Sequence, residues 1–233
     1  MASFVKESIE SSNHKCVGMY DPLGNGNYKD LKEIVTKIDG IIDFSHFSLT
    51  EEILKYAIEI NSPLVIATTG HTDEQKLKIE EASKKIAILK ATNTSLGVNI
   101  MNQIVSYATK LLADFDIELI EKHHNRKIDA PSGTAVTLLE VINESFSEKK
   151  NFVYGREGNK KREKNEIGVH AIRAGNIVGE HTVIFSSGDE IIEIKHEALS
   201  RKIFADGAVK AILSLINKPS GLYLMKDILN INN

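Results

Sequence analysis

Short apolar runs alternate with longer amphipathic stretches along the N-terminal part of the chain. The runs Ile41 to Ser45, Leu64 to Ala67 and Ile86 to Lys90 each predict a strand, and a weaker alternation predicts another from His14 to Tyr20. The stretches between the runs carry apolar residues at helical spacing, and a short helix is expected from Met1 to Ser11. Strands that alternate with helices in this way are typical of βαβ units and a parallel sheet.

Capping-box spacing marks the start of two of these helices. Ser48 pairs with Glu51, and Thr72 pairs with Gln75, each just ahead of an amphipathic stretch. In such sheets, ligands bind beyond the carboxyl ends of the strands, which here carry small or polar residues. These residues are Asp21, Ser45, Thr68, Thr69, Gly70, Asn93 and Thr94. Their recurrence favours a binding crevice, although each one separately also suits a turn.

The pattern changes after Ser95. A long helical stretch precedes a strand with inward and outward alternation, and a second helix follows. Three β-rich runs come next, joined by hairpin signals at Ala174-Gly175-Asn176 and Ser187-Gly188-Asp189. The predicted elements are helices from Leu96 to Phe115, from Thr134 to Phe146 and around Ala205 to Leu215, and strands from Asp116 to Glu121, Ile167 to Arg173, Ile177 to Phe185 and Ile191 to His196.

We therefore expect an α/β protein with two domains. The first, from residues 1–94 with 203–233, is a Rossmann-like domain with a parallel sheet, onto which the last helix packs back. The second, from residues 95–202, is an α+β domain with a mixed or antiparallel sheet. Asp21 suggests the acidic residue that ends the second strand of a dinucleotide fold, although a turn residue is the simpler interpretation. The chain contains no G-x-G-x-x-G, so we expect the first strand and its glycine loop to lie before this sequence.

Composition narrows the class of protein. The net charge of -3 provides no overall field for nucleic acid or an acidic membrane, and neither is an expected partner. A single cysteine, Cys16, can form neither an internal disulfide nor a cysteine zinc site. The chain has no signal-peptide core and no apolar run long enough for a membrane span. A cytosolic enzyme or binding protein without a metal is expected.

Chemistry is concentrated between Glu121 and Ala135, in the stretch EKHHNRKIDAPSGTA. Two histidines and Lys127 offer donors and a proton that titrates near neutral pH. Ser132 can cap the next helix, where Gly133 would let an anion reach backbone N–H groups at the positive end of the helix dipole. A solvated basic strand end is the alternative interpretation. Two other interpretations fit less well. Ser132 is not expected to be a nucleophile, because no G-x-S-x-G motif surrounds it, and the two histidines are not expected to bind a metal, because they are adjacent and lack i, i+4 or hairpin spacing.

This stretch resembles the signature of the 4-hydroxy-tetrahydrodipicolinate reductase family, also called dihydrodipicolinate reductase. The resemblance runs through the whole chain in order. It includes Asp43 to Ser45, Ala67 to Gly70, Asn93 to Asn99, Arg156 to Gly158, Ile167-Gly168, Arg173 to Gly175, Gly179 to Thr182 and Phe204 to Ala208. It implies an NAD(P)H-dependent oxidoreductase that converts 4-hydroxy-tetrahydrodipicolinate, a small cyclic dicarboxylate, to tetrahydrodipicolinate in diaminopimelate and lysine synthesis.

The resemblance also implies roles for particular residues. His123 and Lys127 would be the catalytic pair, with Lys127 as the proton donor. The substrate carboxylates would be bound by His124, Ser132, Gly133 and Thr134. The first domain would bind NADH or NADPH, with NADH slightly favoured by Asp21 at the adenosine ribose, and the second would form a homotetramer through its sheet. The nicotinamide would be lined by Ala67, Thr68, Thr69, Ala91, Thr92, Asn93 and Thr94.

Two alternatives stay open on the sequence alone. One is a non-catalytic homologue that binds the dicarboxylate but lacks the glycine loop for a nucleotide. The other is a different two-domain NAD(P)-dependent dehydrogenase, which would share the architecture but would not explain the DAPSGTA run.

Overall fold

The computed structural model describes residues 1–228 and divides into two compact units. Unit 1 comprises Met1–Ser95 and the segment from Arg201 onward, and unit 2 comprises Leu96–Ser200. The predicted class, a parallel-sheet α/β domain and an α+β domain with a mixed sheet, is confirmed.

Unit 1 is a parallel sheet of four strands in the order β1-β2-β3-β9. Successive residues of β2 face opposite layers: Leu64 and Ile66 pack with one helical layer, and Val65 packs with the other. Burial on both faces explains why this strand is apolar throughout. The elements are α1 (Ala2–Ser11), β1 (Ile41–Asp43), α2 (Thr50–Glu59), β2 (Leu64–Ile66), α3 (Asp73–Ser83), β3 (Ala87–Lys90), α6 (Lys202–Leu215), β9 (Gly221–Tyr223) and α7 (Met225–Ile228).

The chain returns to unit 1 through α6. This helix contributes Ala208, Ala211 and Leu215 to the layer that covers Val65. Its Gly207 lies so close to the loop after β3 that a Cβ there would stand 1.8 Å from the carbonyl oxygen of Thr94. Only glycine allows the helix to approach this closely, and the approach fixes the end of β3.

The strand predicted from His14 to Tyr20 does not form. The segment makes only an isolated bridge between Tyr20 and Tyr28. The carbonyl of Met19 instead accepts hydrogen bonds from the N–H groups of Asn27 and Tyr28, at 2.8 and 3.2 Å. The ring of Tyr28 lies against Gly18. Met19 therefore bonds to its own loop and not to a neighbouring strand.

The two predicted capping boxes have different outcomes. Thr72 and Gln75 form both reciprocal hydrogen bonds at the start of α3, so that prediction is confirmed. The prediction of a capping box at Ser48 and Glu51 is wrong. A short 3-10 helix, Phe47–Leu49, is capped there by His46, and α2 begins only at Thr50 without a side-chain cap.

Unit 2 is a five-stranded mixed sheet in the order β5-β6-β4-β7-β8. The central strand β4 pairs in parallel with β6 and antiparallel with β7. Two helices supply the apolar side chains that cover one face of the sheet. The elements are α4 (Leu96–Leu111), β4 (Asp116–His123), α5 (Gly133–Glu144), β5 (Asn151–Tyr154), β6 (Glu166–Arg173), β7 (Gly179–Ser186) and β8 (Ile191–Ala198).

The predicted hairpin at Ala174-Gly175-Asn176 is also wrong, because β6 and β7 lie on opposite sides of β4 and do not pair. The hairpin at Ser187-Gly188-Asp189 is confirmed by the antiparallel pairing of β7 with β8. The short strand β5 was not predicted, since it lies in a stretch that is otherwise polar.

Candidate active site

Strand β4 carries the central residues of the site. Ile117 and Leu119 point into the apolar layer, and alternation along the strand sends Glu121 and His123 to the same face. Glu121 is completely buried there, and the side chain of His123 is only 12% exposed. A carboxylate in this position is costly unless it is fully paired.

Glu121 meets that requirement with hydrogen bonds from three parts of the fold. It accepts from His123 Nδ1 at 2.5 Å, and from both terminal nitrogens of Arg173 on β6 at 2.7 and 2.8 Å. It also accepts from the backbone N–H of Ser132 at 3.1 Å. Burial alone would raise the pKa of Glu121, but the hydrogen bonds from His123 and Arg173 outweigh burial and lower the pKa to about 2. The side chain of Glu121 is therefore ionised at neutral pH.

The loop after β4 holds Lys127 beside this cluster. Its ammonium donates to Asp129 Oδ1 at 2.8 Å, and the backbone carbonyl of Asp129 accepts from Arg173 at 2.7 Å. The hydrogen bond from Lys127 lowers the pKa of Asp129. Lys127 is thus connected to Glu121 through Asp129 and Arg173.

The start of α5 is the element at which the sequence predicts anion binding. Ser132 is the N-cap, and its Oγ accepts from the N–H of Ala135 at 3.2 Å. A Cβ on Gly133 would meet no atom within 4 Å, and the backbone there is not in the left-handed region. Neither packing nor conformation therefore requires glycine at this position, whereas a ligand close to the helix terminus would.

His181 on β7 completes the cluster and was not predicted as a site residue. Its Nε2 shares a hydrogen bond of 2.9 Å with Ser132 Oγ, and its ring lies edge-on to that of His123. Burial, reinforced by the nearby charge of His123, lowers the pKa of His181 to about 4. His181 is therefore neutral at physiological pH.

Arg173 and Glu121 also had no predicted role. Glu121 could have been found, because a charged residue at an inward position of an alternating strand needs a buried partner. Arg173 and His181 could not, since their contacts depend on which strands flank β4.

His124 follows β4, and its carbonyl accepts from the N–H of Lys127 at 3.1 Å. Thr134 is the second residue of α5. The structure therefore joins His123, Lys127 and Ser132 in one network, with Gly133 next to it in the chain.

The predicted nicotinamide residues lie after β2 and β3 in unit 1. Since these neighbouring strands are parallel, their carboxyl ends meet at one edge of the sheet. Thr68 and Thr94 are buried and hold their loops in place: Thr68 Oγ1 donates to the carbonyl of Ser45, and Thr94 Oγ1 to that of Phe204. Small residues (Ala67, Ala91) and exposed threonines (Thr69, Thr92) accompany them, and Asn93 Oδ1 accepts from the N–H of Ser95.

Asp21 does not end a strand. Its carboxylate accepts from the N–H of Leu23 at 2.8 Å and from the side chain of Asn25 at 3.1 Å. The turn interpretation explains both contacts, so the ribose role stays a prediction.

Within residues 1–228, no cluster of His, Cys, Asp and Glu has the arrangement of a metal site, and none of the helices has the length and apolarity to cross a membrane.

Comparison with known proteins defines the class and then the family. Two family profiles match, dihydrodipicolinate reductase N-terminus over residues 1–94 and C-terminus over residues 97–229. A relative from Brachyspira hyodysenteriae, called 4-hydroxy-tetrahydrodipicolinate reductase, is 47% identical over 98% of this chain and 95% of its own. One of the same name from Clostridium tetani is 48% identical over 87% of this chain and 80% of its own. The solved structure of dipicolinate-bound dihydrodipicolinate reductase from Paenisporosarcina sp. TG-14 matches with a TM-score of 0.68 and 25% identity, over 87% of this chain and 76% of its own.

Fold and relatives together define an NAD(P)H-dependent oxidoreductase with a Rossmann-like nucleotide domain. The chain belongs to the dihydrodipicolinate reductase family, which acts in lysine and diaminopimelate synthesis. The resemblance inferred from the motif is therefore confirmed. The two alternatives, a non-catalytic homologue and a different dehydrogenase, gain no support from these comparisons.

Proposed function

We propose that this chain reduces 4-hydroxy-tetrahydrodipicolinate to tetrahydrodipicolinate, with Lys127 as the proton donor and His123 as its catalytic partner. The overall change consumes the substrate, one NAD(P)H and one proton, and releases tetrahydrodipicolinate, NAD(P)+ and water. The nicotinamide supplies the hydride when it is bound. The protein's own residues bind the dicarboxylate, orient it and deliver the proton.

One observation carries this proposal: Lys127, His123 and the capped start of α5 belong to a single hydrogen-bonded network in unit 2. A substrate with two carboxylates needs cations and backbone N–H donors. Lys127 supplies a cation, and the first turn of α5 supplies N–H groups at the positive end of its dipole. Ser132, Gly133 and Thr134 are assigned to the carboxylates because they form that terminus, and His124 is assigned with them because of its place in the family motif.

Lys127 has a defined partner before substrate arrives. Its ammonium lies 2.8 Å from Asp129, whose side chain is 61% exposed. A substrate carboxylate can compete for this ammonium, because the Asp129 end of the ion pair is exposed to solvent, which weakens the pair. Lys127 then lies against the substrate as a charged donor, ready to release its proton when hydride adds.

The cofactor is assigned to the carboxyl edge of the unit 1 sheet. Ala67, Thr68 and Thr69 from one strand end, with Ala91, Thr92, Asn93 and Thr94 from the next, would line the nicotinamide. NADH is proposed to be slightly favoured over NADPH, since an acidic Asp21 at the ribose would repel a 2′-phosphate. The enzyme is further proposed to be a cytosolic homotetramer that pairs through the sheet of unit 2.

Replacing Lys127 tests the proposal directly. We expect Lys127→Ala to lower kcat about 10²- to 10⁴-fold, which is the usual contribution of a positioned acid or base. The assay follows oxidation of NADH and, separately, of NADPH, with substrate made in place by dihydrodipicolinate synthase. Lys161→Ala is the matched control, because Lys161 is an exposed lysine of the same unit. Turnover of Lys127→Ala at the wild-type rate would contradict the assigned role, and a wild-type protein without turnover would contradict the function itself.

A further inference from the structure

We infer that Glu121 is the positioning residue of this active site, which sets His123, Lys127 and the start of α5 in their working places at the same time. The inference rests on the proposed function and adds a residue that does not itself touch the substrate. It is drawn from the burial of Glu121 and from the identity of its hydrogen-bond donors.

The first consequence concerns His123. Because the Glu121 carboxylate accepts from Nδ1, the proton on that nitrogen is fixed and the orientation of the ring is set. The other nitrogen, Nε2, lies over β7 at Gly179, where a Cβ would stand 3.1 Å away. The ring is thus held between a carboxylate on one edge and a residue without a side chain on the other.

The second consequence concerns Lys127. Arg173 binds Glu121 with both terminal nitrogens, and one of them also donates to the carbonyl of Asp129 at 2.7 Å. The carboxylate of Asp129 in turn accepts from Lys127. Loss of Glu121 would release Arg173, and with it the segment that holds the proposed proton donor.

The third consequence concerns the substrate-binding helix. The Ser132 N–H donates to Glu121 Oε1, so the residue that caps α5 is fixed to the centre of the sheet. Stability alone does not require this arrangement, because apolar residues of similar volume can replace a buried ion pair without loss. The three donors to Glu121 instead share a link to the proposed chemistry. His123 and Ser132 are themselves assigned to the site, and Arg173 holds the segment that carries Lys127.

A merely structural carboxylate would behave differently. Glu180 on β7 provides the comparison, because it is also buried and also pairs with two cations, Lys122 at 2.6 Å and Lys195 at 3.1 Å. It lies on the opposite face of the sheet from Glu121, because its partner across the pair of β4 and β7 is Lys122 and not Glu121. Glu180→Gln is therefore the matched control for Glu121→Gln.

We expect Glu121→Gln to lower kcat about 100-fold, with less than a tenfold change in the KM for NADH, because the nucleotide residues lie in unit 1. Glu121→Asp keeps the charge and should recover part of the lost activity. Glu180→Gln should stay within threefold of wild type in kcat. Full-length protein is used throughout, and circular dichroism and size-exclusion profiles establish that each variant is folded.

Two further readouts do not depend on turnover. In wild-type protein labelled with ¹⁵N-histidine, the Nδ1 proton of His123 should be shifted downfield by its carboxylate partner. In Glu121→Gln this signal should move, and the affinity for dipicolinate should fall severalfold. Wild-type kcat in a folded Glu121→Gln variant would overturn the inference. If that variant does not fold, an ordinary Nδ1 proton in the wild type would overturn it. If wild type fails to turn over but Glu121→Gln still loses affinity for dipicolinate, the proposed reaction is wrong and the positioning role of Glu121 at the dicarboxylate site stands.

Discussion

At the scale of single residues, Gly133 is the position where the proposed ligand can be tested most directly. Space for a side chain exists there and the backbone does not demand glycine, yet the residue stands at a helix N-terminus. A side chain at this position would occupy the place where we propose a substrate carboxylate meets the helix.

We expect Gly133→Ala to fold at least as stably as wild type, since alanine is favoured over glycine in a helix by about 1 kcal/mol. Its dissociation constant for dipicolinate should rise tenfold or more, measured by calorimetry. Gly188→Ala is the control, because Gly188 also has open space around its Cα but lies in the turn between β7 and β8. Equal affinity for dipicolinate in both variants would show that the ligand does not bind at the N-terminus of α5.

His181 gives this protein a predictable sensitivity to acid. Its pKa is about 4 in the folded protein against 6.5 for an ordinary histidine such as that of the unfolded chain, so below pH 6.5 the unfolded chain takes up a proton that the folded protein does not. Stability therefore falls as the pH drops from 6.5 towards 4, by about 1.4 kcal/mol per pH unit. Glu121, with its lowered pKa, adds to the loss only below about pH 4.5.

Urea unfolding at pH 7 and pH 5 measures this contribution. The loss of unfolding free energy between the two pH values should be smaller by about 2 kcal/mol in His181→Gln than in wild type. His14→Gln, at an exposed histidine, should leave the loss unchanged. The same pH dependence in wild type and His181→Gln would show that His181 does not stay neutral when the protein is folded.

Much of this residue-level picture was accessible from sequence. Lys127, His123 and Ser132 could be selected because they are close together in the chain and share a plausible chemistry. Arg173 and His181 could not, because they reach the site across the sheet, 52 residues from Glu121 and 49 from Ser132 respectively. A contact of that kind becomes visible only when the pairing of strands is known.

At the scale of elements, apolar runs located nearly all the helices and strands, because burial on one or both faces leaves a clear period in the sequence. Which strands pair with each other was harder to predict from the sequence. The turn residues after β6 suggested a hairpin, yet β4 separates β6 from β7. Turn chemistry specifies a local change of direction and does not specify which strand lies alongside. The capping boxes show the same limit, because the spacing at Ser48 suits a cap but the helix starts beyond it.

The contrast between the two boxes can be measured. Thr72→Ala removes a cap with both reciprocal hydrogen bonds, and it should lower the unfolding free energy by about 1 kcal/mol. Ser48→Ala should change it by less than about 0.5 kcal/mol, since Ser48 caps no α-helix and is exposed. Urea midpoints at fixed protein concentration provide the comparison. A larger loss for Ser48→Ala would mean that its hydroxyl stabilises the start of α2 after all.

At the scale of the whole molecule, composition excluded classes of protein but did not identify this one. A net charge of -3 and one cysteine fit many enzymes. The family became recognisable from one stretch of β4 and its loop, while the parallel sheet of unit 1 indicated a nucleotide without indicating which. Cofactor preference depends on one or two side chains near a ribose, and the loop that holds Asp21 satisfies its carboxylate internally.

The central position of β4 has a consequence for how the protein is made. Its parallel partner β6 follows only after α5 and β5, as in the pairing of Ile117 with Ile167, and its other partner β7 comes later still. By contrast, β7 and β8 are joined by a tight turn that can close early. Contacts between distant parts of a chain form slowly because long loops must close first. We therefore expect a growing chain to complete the cluster around Glu121 late, only when Arg173 and His181 have both emerged from the ribosome.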